Sequence, residues 1–413
     1  MADTLERLLD ATGGHATDGC ERDVVDGIPA RWVASPGSEQ ETAAVLRACA
    51  EEDLAVVVRG SGSKLTWGMP PARLDVLLDT SRMDALAEHA VGDFVAVVGA
   101  GRRLSTLRED VLGAGQRLTV DPPHDGTVGG TAATAVTGPL RLGVGAVRDL
   151  LIGARFVLAD GTIAHSGGKV VKNVAGYDVG KLLTGSLGTL AVLTQVAFRL
   201  HPLPEAQAWV TVPVSGAADA QTKVQALVHS QSVPAAVELD RPADGEATLA
   251  VLLEGVAPGV AQRVRQVLDL LGGQASAHEA APDWWGNEPF GPGDTHLRVT
   301  HEIGRLAQLL NAVVDAEQRA AVPIHLRGSV AVGSVLAGIG ADTPPETVAA
   351  AVAALRERAH SFGGTVVVRD AAPPVKQAVD VWGPVPALGL MRRVKERFDP
   401  ESRLAPGRFV GGI

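Results

Sequence analysis

Three stretches of this 413-residue chain are rich in glycine and in hydrogen-bond donors, and each is tied to a β-branched run. The first, Val58-Arg59-Gly60-Ser61-Gly62-Ser63-Lys64, follows the apolar run Ala55-Val56-Val57. The second, Gly126 to Gly138, holds nothing larger than valine. The third runs from Gly167 through Tyr177-Asp178 to Gly188, then into an apolar strand ending near Leu193. Glycine takes positive φ and leaves the main chain bare, so N–H groups can converge on an anion. Ser61 and Ser63 add hydroxyl donors, and Arg59 and Lys64 add positive charge. Taken singly, each stretch also fits a plainer use: a Gly-Ser turn, or a tightly packed strand or helix. Together they suit one extended ligand better than three sites. A dinucleotide with a planar ring system needs three such points, for pyrophosphate, isoalloxazine and adenine.

The first loop is neither of two common phosphate motifs. With Gly60 and Gly62 leading, a dinucleotide fingerprint needs its third glycine at position 65, where Leu65 stands. No helix follows either, because Gly68-Met69-Pro70-Pro71 is breaker chemistry. The Gly-Lys-Ser/Thr ending of a P-loop is also missing.

Composition narrows the remaining classes. A net charge of −10 without a basic cluster argues against nucleic acid. Two cysteines, Cys20 and Cys49, are too few for a disulfide scaffold or a four-cysteine metal or iron–sulfur site. The longest uncharged run, Leu182 to Phe198, is interrupted by Thr, Gly, Ser and Gln and does not read as a membrane span. The first residues lack a signal-peptide pattern, and a cytoplasmic location is expected, with attachment to the inner membrane face only through partners.

The chain divides by its grammar. Residues 1–203 mix short strands with glycine turns, including a hairpin at 150–165 around Asp160-Gly161. Ser38 with Glu41 has the spacing of a helix-capping box, and Cys49 falls on the apolar face that follows. From 204 to 372 helices alternate with strands. Helices are predicted near 217–231, 258–271, 303–319 and 345–362. Strands are predicted near 208–213, 235–239, 248–253, 296–300, 323–328 and 365–369. This pattern predicts an α+β cap of helices on an antiparallel sheet, with a loop over 283–294. Residues 373–413 are expected to return to the first domain. Trp284-Trp285 reads as a loop anchor or a partner contact.

The segment Val56–Pro202 resembles the PCMH-type FAD-binding domain of the vanillyl-alcohol-oxidase superfamily. The resemblance rests on Arg59 to Gly68, Gly126-Thr127-Val128-Gly129-Gly130, Gly138-Pro139, Gly145 to Asp149 and Val171 to Asp178. The wording is similar to one branch, the FAD-binding E subunit of bacterial glycolate oxidase. Arg393-Val394-Lys395, Phe398-Asp399-Pro400 and Pro406-Gly407-Arg408 resemble the superfamily's closing motif.

This resemblance implies a two-lobed α+β FAD domain with a smaller cap. It implies that Gly60, Ser61, Gly62 and Ser63 give donors to the pyrophosphate. Pro122, Gly126, Thr127, Gly129, Gly130, Ala133 and Gly138 would line the flavin, with Gly188 and Val192 near the adenosine half. Family members with a covalent flavin often place the linking His in the first loop. Residues 59–68 hold no His or Cys, so non-covalent FAD is expected; His124 is the one nearby imidazole. The implied activity is oxidation of a 2-hydroxy acid to a 2-oxo acid through flavin. The implied partners are a larger FAD-linked subunit and an iron–sulfur subunit.

Two departures stand out. Ala405 replaces the Asn usual before Pro-Gly. The His-rich metal motif of related 2-hydroxyacid dehydrogenases is absent, and His296, His301 and Glu302 read as capping or surface residues. No metal is expected. His325 and Arg327, two apart on a strand, are the weak catalytic candidates: an Arg holds a carboxylate bidentately and a His takes a proton. Two alternatives stay open, a free-standing FAD-dependent dehydrogenase of the D-lactate type and a structural subunit with a non-catalytic flavin.

Overall fold

A computed structural model describes residues 2–169 and 176–413. Part of the motif at Val171 to Asp178 therefore lies outside the described residues. The chain forms two compact units, one of residues 1–136, 146–202 and 385–413, the other of residues 137–145 and 203–384. Relative to the sequence boundaries, Thr137–Gly145 and the residues up to Pro384 group with the second unit.

The first unit has two main sheets. In one, Trp32–Ala34, Val76–Asp79 and Val56–Arg59 run parallel, and Ala16–Asp18 adds an antiparallel edge. Val56, Val57, Val76, Leu77 and Leu78 are fully buried, as a parallel sheet covered on both faces requires. Beyond Val56–Arg59 the C-terminal segment lies alongside, with Val56 N donating to Arg403 O and Ala405 N donating to Val56 O. The other sheet is antiparallel, in the order Ile163–Gly167, Leu151–Val157, Val192–Arg199, Val95–Gly99, Leu86–Ala90. Its first pair is the hairpin expected around Asp160-Gly161: Gly161 takes φ +82° and Asp160 Oδ1 accepts from Thr162 N at 2.8 Å. Ser38 caps the helix Glu39–Glu51, accepting from Glu41 N at 3.1 Å. Glu41 does not close the box on Ser38; its carboxylate takes Gly37 N instead, at 2.7 Å. Cys49 packs in the core beneath that helix.

The second unit is one eight-stranded antiparallel sheet. Its order is Ser276–His278, Ala206–Val214, Ala247–Gly255, Ala236–Arg241, His325–Ser329, Ser334–Ile339, Thr295–Thr300, Thr365–Asp370. The helices Ala217–Val228, Ala257–Leu271, Leu306–Ala320 and Pro345–Ser361 pack side by side over one face. Strand alternation sends Val237, Leu239, Leu297, Val299, Leu326 and Val335 into that helical layer, all fully buried. The opposite face is polar and carries Glu238, Asp240, His296, Arg298, His325 and Arg327. Two strands escaped the sequence reading. Ser276–His278 is short and exposed, and Ser334–Ile339 follows Gly333 with little alternation. The sheet with its helices makes the fold α+β.

Candidate functional site

The three small-residue stretches meet in the first unit around one partly open cavity. The first stretch contributes Gly60, Ser61, Gly62, Ser63, Lys64 and Leu65 to its lining. No helix follows this loop; residues 60–69 are turns and bends. Gly62 takes φ +79° and has open space where a side chain would stand. Lys64 Nζ donates to Ser63 Oγ at 3.1 Å, and Ser61 Oγ donates to Ser63 Oγ at 3.3 Å. Amine and hydroxyls thus cluster on one lip.

The second stretch is a helix, Val128–Thr134, capped by Thr127, whose Oγ1 accepts from Gly130 N at 3.2 Å. Thr127, Gly129, Gly130, Ala133 and Thr134 face the cavity. Gly129 is needed for close approach: a Cβ there would sit 2.7 Å from the Ala100 Cβ, while its N–H donates to Ala100 O at 2.8 Å. The third stretch lines the cavity with Ser186, Leu187 and Gly188, followed by Ala191 and Leu193.

Several expected residues fall elsewhere. Arg59 does not face the cavity; its guanidinium donates to Asp23 Oδ1 at 2.7 Å and Asp79 Oδ2 at 2.9 Å, so its charge is neutralised locally. Val192 is fully buried in the core cluster with Leu8, Val56 and Leu404, because strand alternation turns it away while Ala191 and Leu193 face in. Pro122 is buried off the cavity, and Gly138 groups with the second unit. Gly126 lies just behind the lining. A Cβ on it would meet Lys64 Nζ at 2.9 Å, Ser63 Oγ at 3.4 Å and Thr131 Oγ1 at 3.4 Å.

Other lining residues went unassigned in the sequence. Ser186 and Leu187 sit inside the third stretch, and Leu187 takes φ +53°, an uncommon conformation for a branched residue. Arg408 belongs to the quoted closing motif. It reaches back across the sequence to donate to Leu65 O and, at 2.8 Å, to Trp67 O. It thereby clamps the first loop from behind. Ala405, which replaces the Asn usual before Pro-Gly, is buried in an apolar cluster with Val57 and Leu77.

The loop-bearing segments are locked from below by Lys395. This buried amine donates to Asp399 Oδ2 at 2.7 Å, Thr189 O at 2.7 Å and Leu404 O at 2.9 Å. Asp399, fully buried, also accepts from Arg403 N and Leu404 N. Burial lowers the Lys395 pKa, and the Asp399 carboxylate works against that shift.

In the second unit, His325 and Arg327 do reach one point, the carboxylate of Asp240. His325 Nε2 and Arg327 Nε each lie 2.8 Å from Asp240 Oδ1. Burial acts to raise the Asp240 pKa, but the bonds from His325 and Arg327 hold it below the usual carboxylate range. Arg327 is further engaged by Asn287 O and Glu288 O and lies over the Trp284 ring at 5.6 Å. Its fork is occupied, which corrects the expectation of an open carboxylate clamp. The loop over 283–294 is held down by these contacts, by Trp285 edge-on to Trp209, and by Phe290 stacked on His296 at 3.6 Å. The tryptophan pair is thus a loop anchor. His301 packs its ring in the interior, with Nδ1 2.8 Å from Glu302 O, and burial lowers its pKa. Among the described residues no three His, Cys, Asp or Glu side chains gather as metal ligands.

The donor set and the cradle fit a flavin dinucleotide. Hydroxyls and an amine suit phosphate oxygens, glycine and alanine give a flat bed, and the buried Thr131 hydroxyl beside Gly126 has no hydrogen-bond partner among the described residues. Residues 30–167 match the family described as FAD binding domain. The chain is 35% identical over 210 residues to a D-lactate dehydrogenase of Archaeoglobus fulgidus, covering 50% of this chain and 46% of that protein. It is 36% identical over 154 residues to glycolate oxidase subunit GlcE of Escherichia coli, covering 37% of this chain and 43% of that protein. In both alignments the chain spans less than half of its relative. Among solved structures, p-cresol methylhydroxylase with substrate bound superposes with a TM-score of 0.76, at 16% identity, over 98% of this chain and 96% of that one. The chain carries a PCMH-type FAD-binding domain, and its cofactor is FAD. No helix among the described residues is long and apolar enough to cross a membrane.

Proposed function

We propose that this chain is an FAD-dependent oxidoreductase that converts a 2-hydroxy acid to the 2-oxo acid, acting as the FAD-binding subunit of a glycolate (2-hydroxyacid) oxidase assembly. The observation that carries the reading is the convergence of three separated small-residue stretches on one cavity within a domain matched to FAD binding. The D-lactate dehydrogenase and glycolate oxidase relatives support the substrate class.

FAD, when bound, supplies the two-electron acceptor. The chain's residues bind and orient it. Gly60, Ser61, Gly62 and Ser63 offer main-chain and hydroxyl donors to the pyrophosphate, and Lys64 offsets its charge. Thr127, Gly129, Gly130 and Ala133 form the bed for the ring system, and Gly188 with Ala191 and Leu193 borders the adenosine half. No His or Cys lines the cavity among the described residues, which supports non-covalent attachment. Acid denaturation should release all yellow colour from the protein.

Partners of this assembly are a larger FAD-linked subunit and an iron–sulfur subunit. Anaerobic mixing with glycolate or D-lactate tests the reading. Bleaching of the flavin only in the presence of the larger subunit is expected. The relationship to a D-lactate dehydrogenase favours a second reading, a free-standing dehydrogenase, and bleaching by the lone chain would select it. A flavin that stays oxidised in both settings sinks both readings.

A further inference from the structure

We propose that Arg298 is the anchor of a carboxylate-binding site on the face of the second unit's sheet that looks away from the four helices. The inference rests on the hydroxy-acid reading above and names the group on this chain that recognises the acid end of the substrate.

Arg298 lies in the strand Thr295–Thr300, between Leu297 and Val299, which are buried in the helical layer. Alternation therefore puts Arg298 on the polar face with His296. Its cross-strand partners are Leu336 on one side and Val367 on the other, neither of which bears a charge. Three other cations of this unit are each paired with a carboxylate. Arg327 has Asp240 at 2.8 Å, Arg369 has Glu288 at 3.5 Å, and Lys376 has Asp370 at 3.2 Å. Arg298 makes no hydrogen bond or ion pair among the described residues. Its side chain is exposed, yet enough protein surrounds it that desolvation lowers its pKa, with the positive charge of Arg141 adding to the shift. A group open to a small solute yet poorly hydrated is where an anion gains most.

The adjoining strand departs from regular pairing at the same place. His296 pairs with Asp370, but Leu297 pairs with Val368, so Arg369 is the extra residue of a bulge. Bulges re-aim side chains. Here the buried Arg369 guanidinium is pushed down to about 10, mainly by burial, with Arg298 adding repulsion. A ligand carboxylate on Arg298 relieves that repulsion and can take both prongs of its fork.

The test uses the FAD-loaded protein and 2-hydroxyisobutyrate, which lacks the α-hydrogen and cannot be dehydrogenated, alongside its uncharged amide. Calorimetry should show the acid binding roughly 10- to 100-fold tighter than the amide, the range for a charge-assisted contact. Arg298→Met should erase that difference and Arg298→Lys should keep part of it, with flavin content and circular dichroism unchanged in both. Equal affinity for acid and amide in the unaltered protein, or full acid affinity in Arg298→Met, overturns the proposal. If the acid binds through Arg298 but no 2-hydroxy acid bleaches the flavin either in the lone chain or with the larger subunit, the functional reading fails and the anion site stands.

Discussion

Gly60 and Thr127 are packed so closely that a Cβ on Gly60 would lie 2.1 Å from the Thr127 hydroxyl and 3.1 Å from its Cβ and methyl. The first loop is therefore seated on the cap of the helix Val128–Thr134, and two small-residue stretches share one contact. Gly60→Ala is expected to cost about 1–3 kcal/mol through overpacking and to reduce FAD content. The double variant Gly60→Ala/Thr127→Ala should recover part of the stability. Gly62→Ala meets no atom and should cost only the strain of positive φ, about 1 kcal/mol. Urea midpoints and flavin absorbance of the purified variants check the order.

Removing Lys395 would leave the Asp399 carboxylate buried without its cation and strand two carbonyl groups. Lys395→Met is expected to destabilise the first unit by about 3–5 kcal/mol. FAD affinity should fall with it, because Thr189 adjoins the lining residue Gly188. Fluorescence titration of the apoprotein with FAD measures that loss.

Asp240 is held below its usual carboxylate range in the folded protein. Its contribution is thus present above about pH 4, the unfolded range, and is lost as pH falls through the lower folded value. Asp240→Asn should lower stability by about 2 kcal/mol at neutral pH, the scale of hydrogen bonds to a charged group. It should also flatten the stability profile between roughly pH 5 and pH 2.5. Parallel urea titrations of the two proteins settle the point; identical slopes would refute it.

The two thiols should differ sharply. Burial pushes the Cys49 pKa up to about 12, while Cys20 is exposed. Ellman's reagent at mild alkaline pH should titrate one thiol in the native protein and both after denaturation.

Much of this architecture was legible because its signals are local. The four helices of the second unit and six of its strands follow from apolar periodicity, and the Asp160-Gly161 hairpin from its turn. Of the expected residues, most of those carried by glycine clusters gather on the cavity. Arg59 and Val192 do not line it, for reasons that are not local. Asp23 and Asp79, which take up the Arg59 charge, stand 36 and 20 residues away. Val192 differs from its cavity-facing neighbours only by the parity of its strand. Arg327 read as an open clamp because its carboxylate partner, Asp240, is 87 residues distant. Arg408 was visible as part of a motif, but its reach to Leu65 spans 343 positions, which no window of sequence displays.

That reach has a consequence for biogenesis. On the ribosome, the loop of Gly60 to Lys64 emerges long before Arg408 and the segment that lies beside Val56. Until that late segment docks, the parallel sheet lacks its flanking chain and the loop lacks its rear support. Stable flavin capture thus waits for the Arg408 segment: nascent chains stalled before Arg408 should hold no stably bound yellow cofactor.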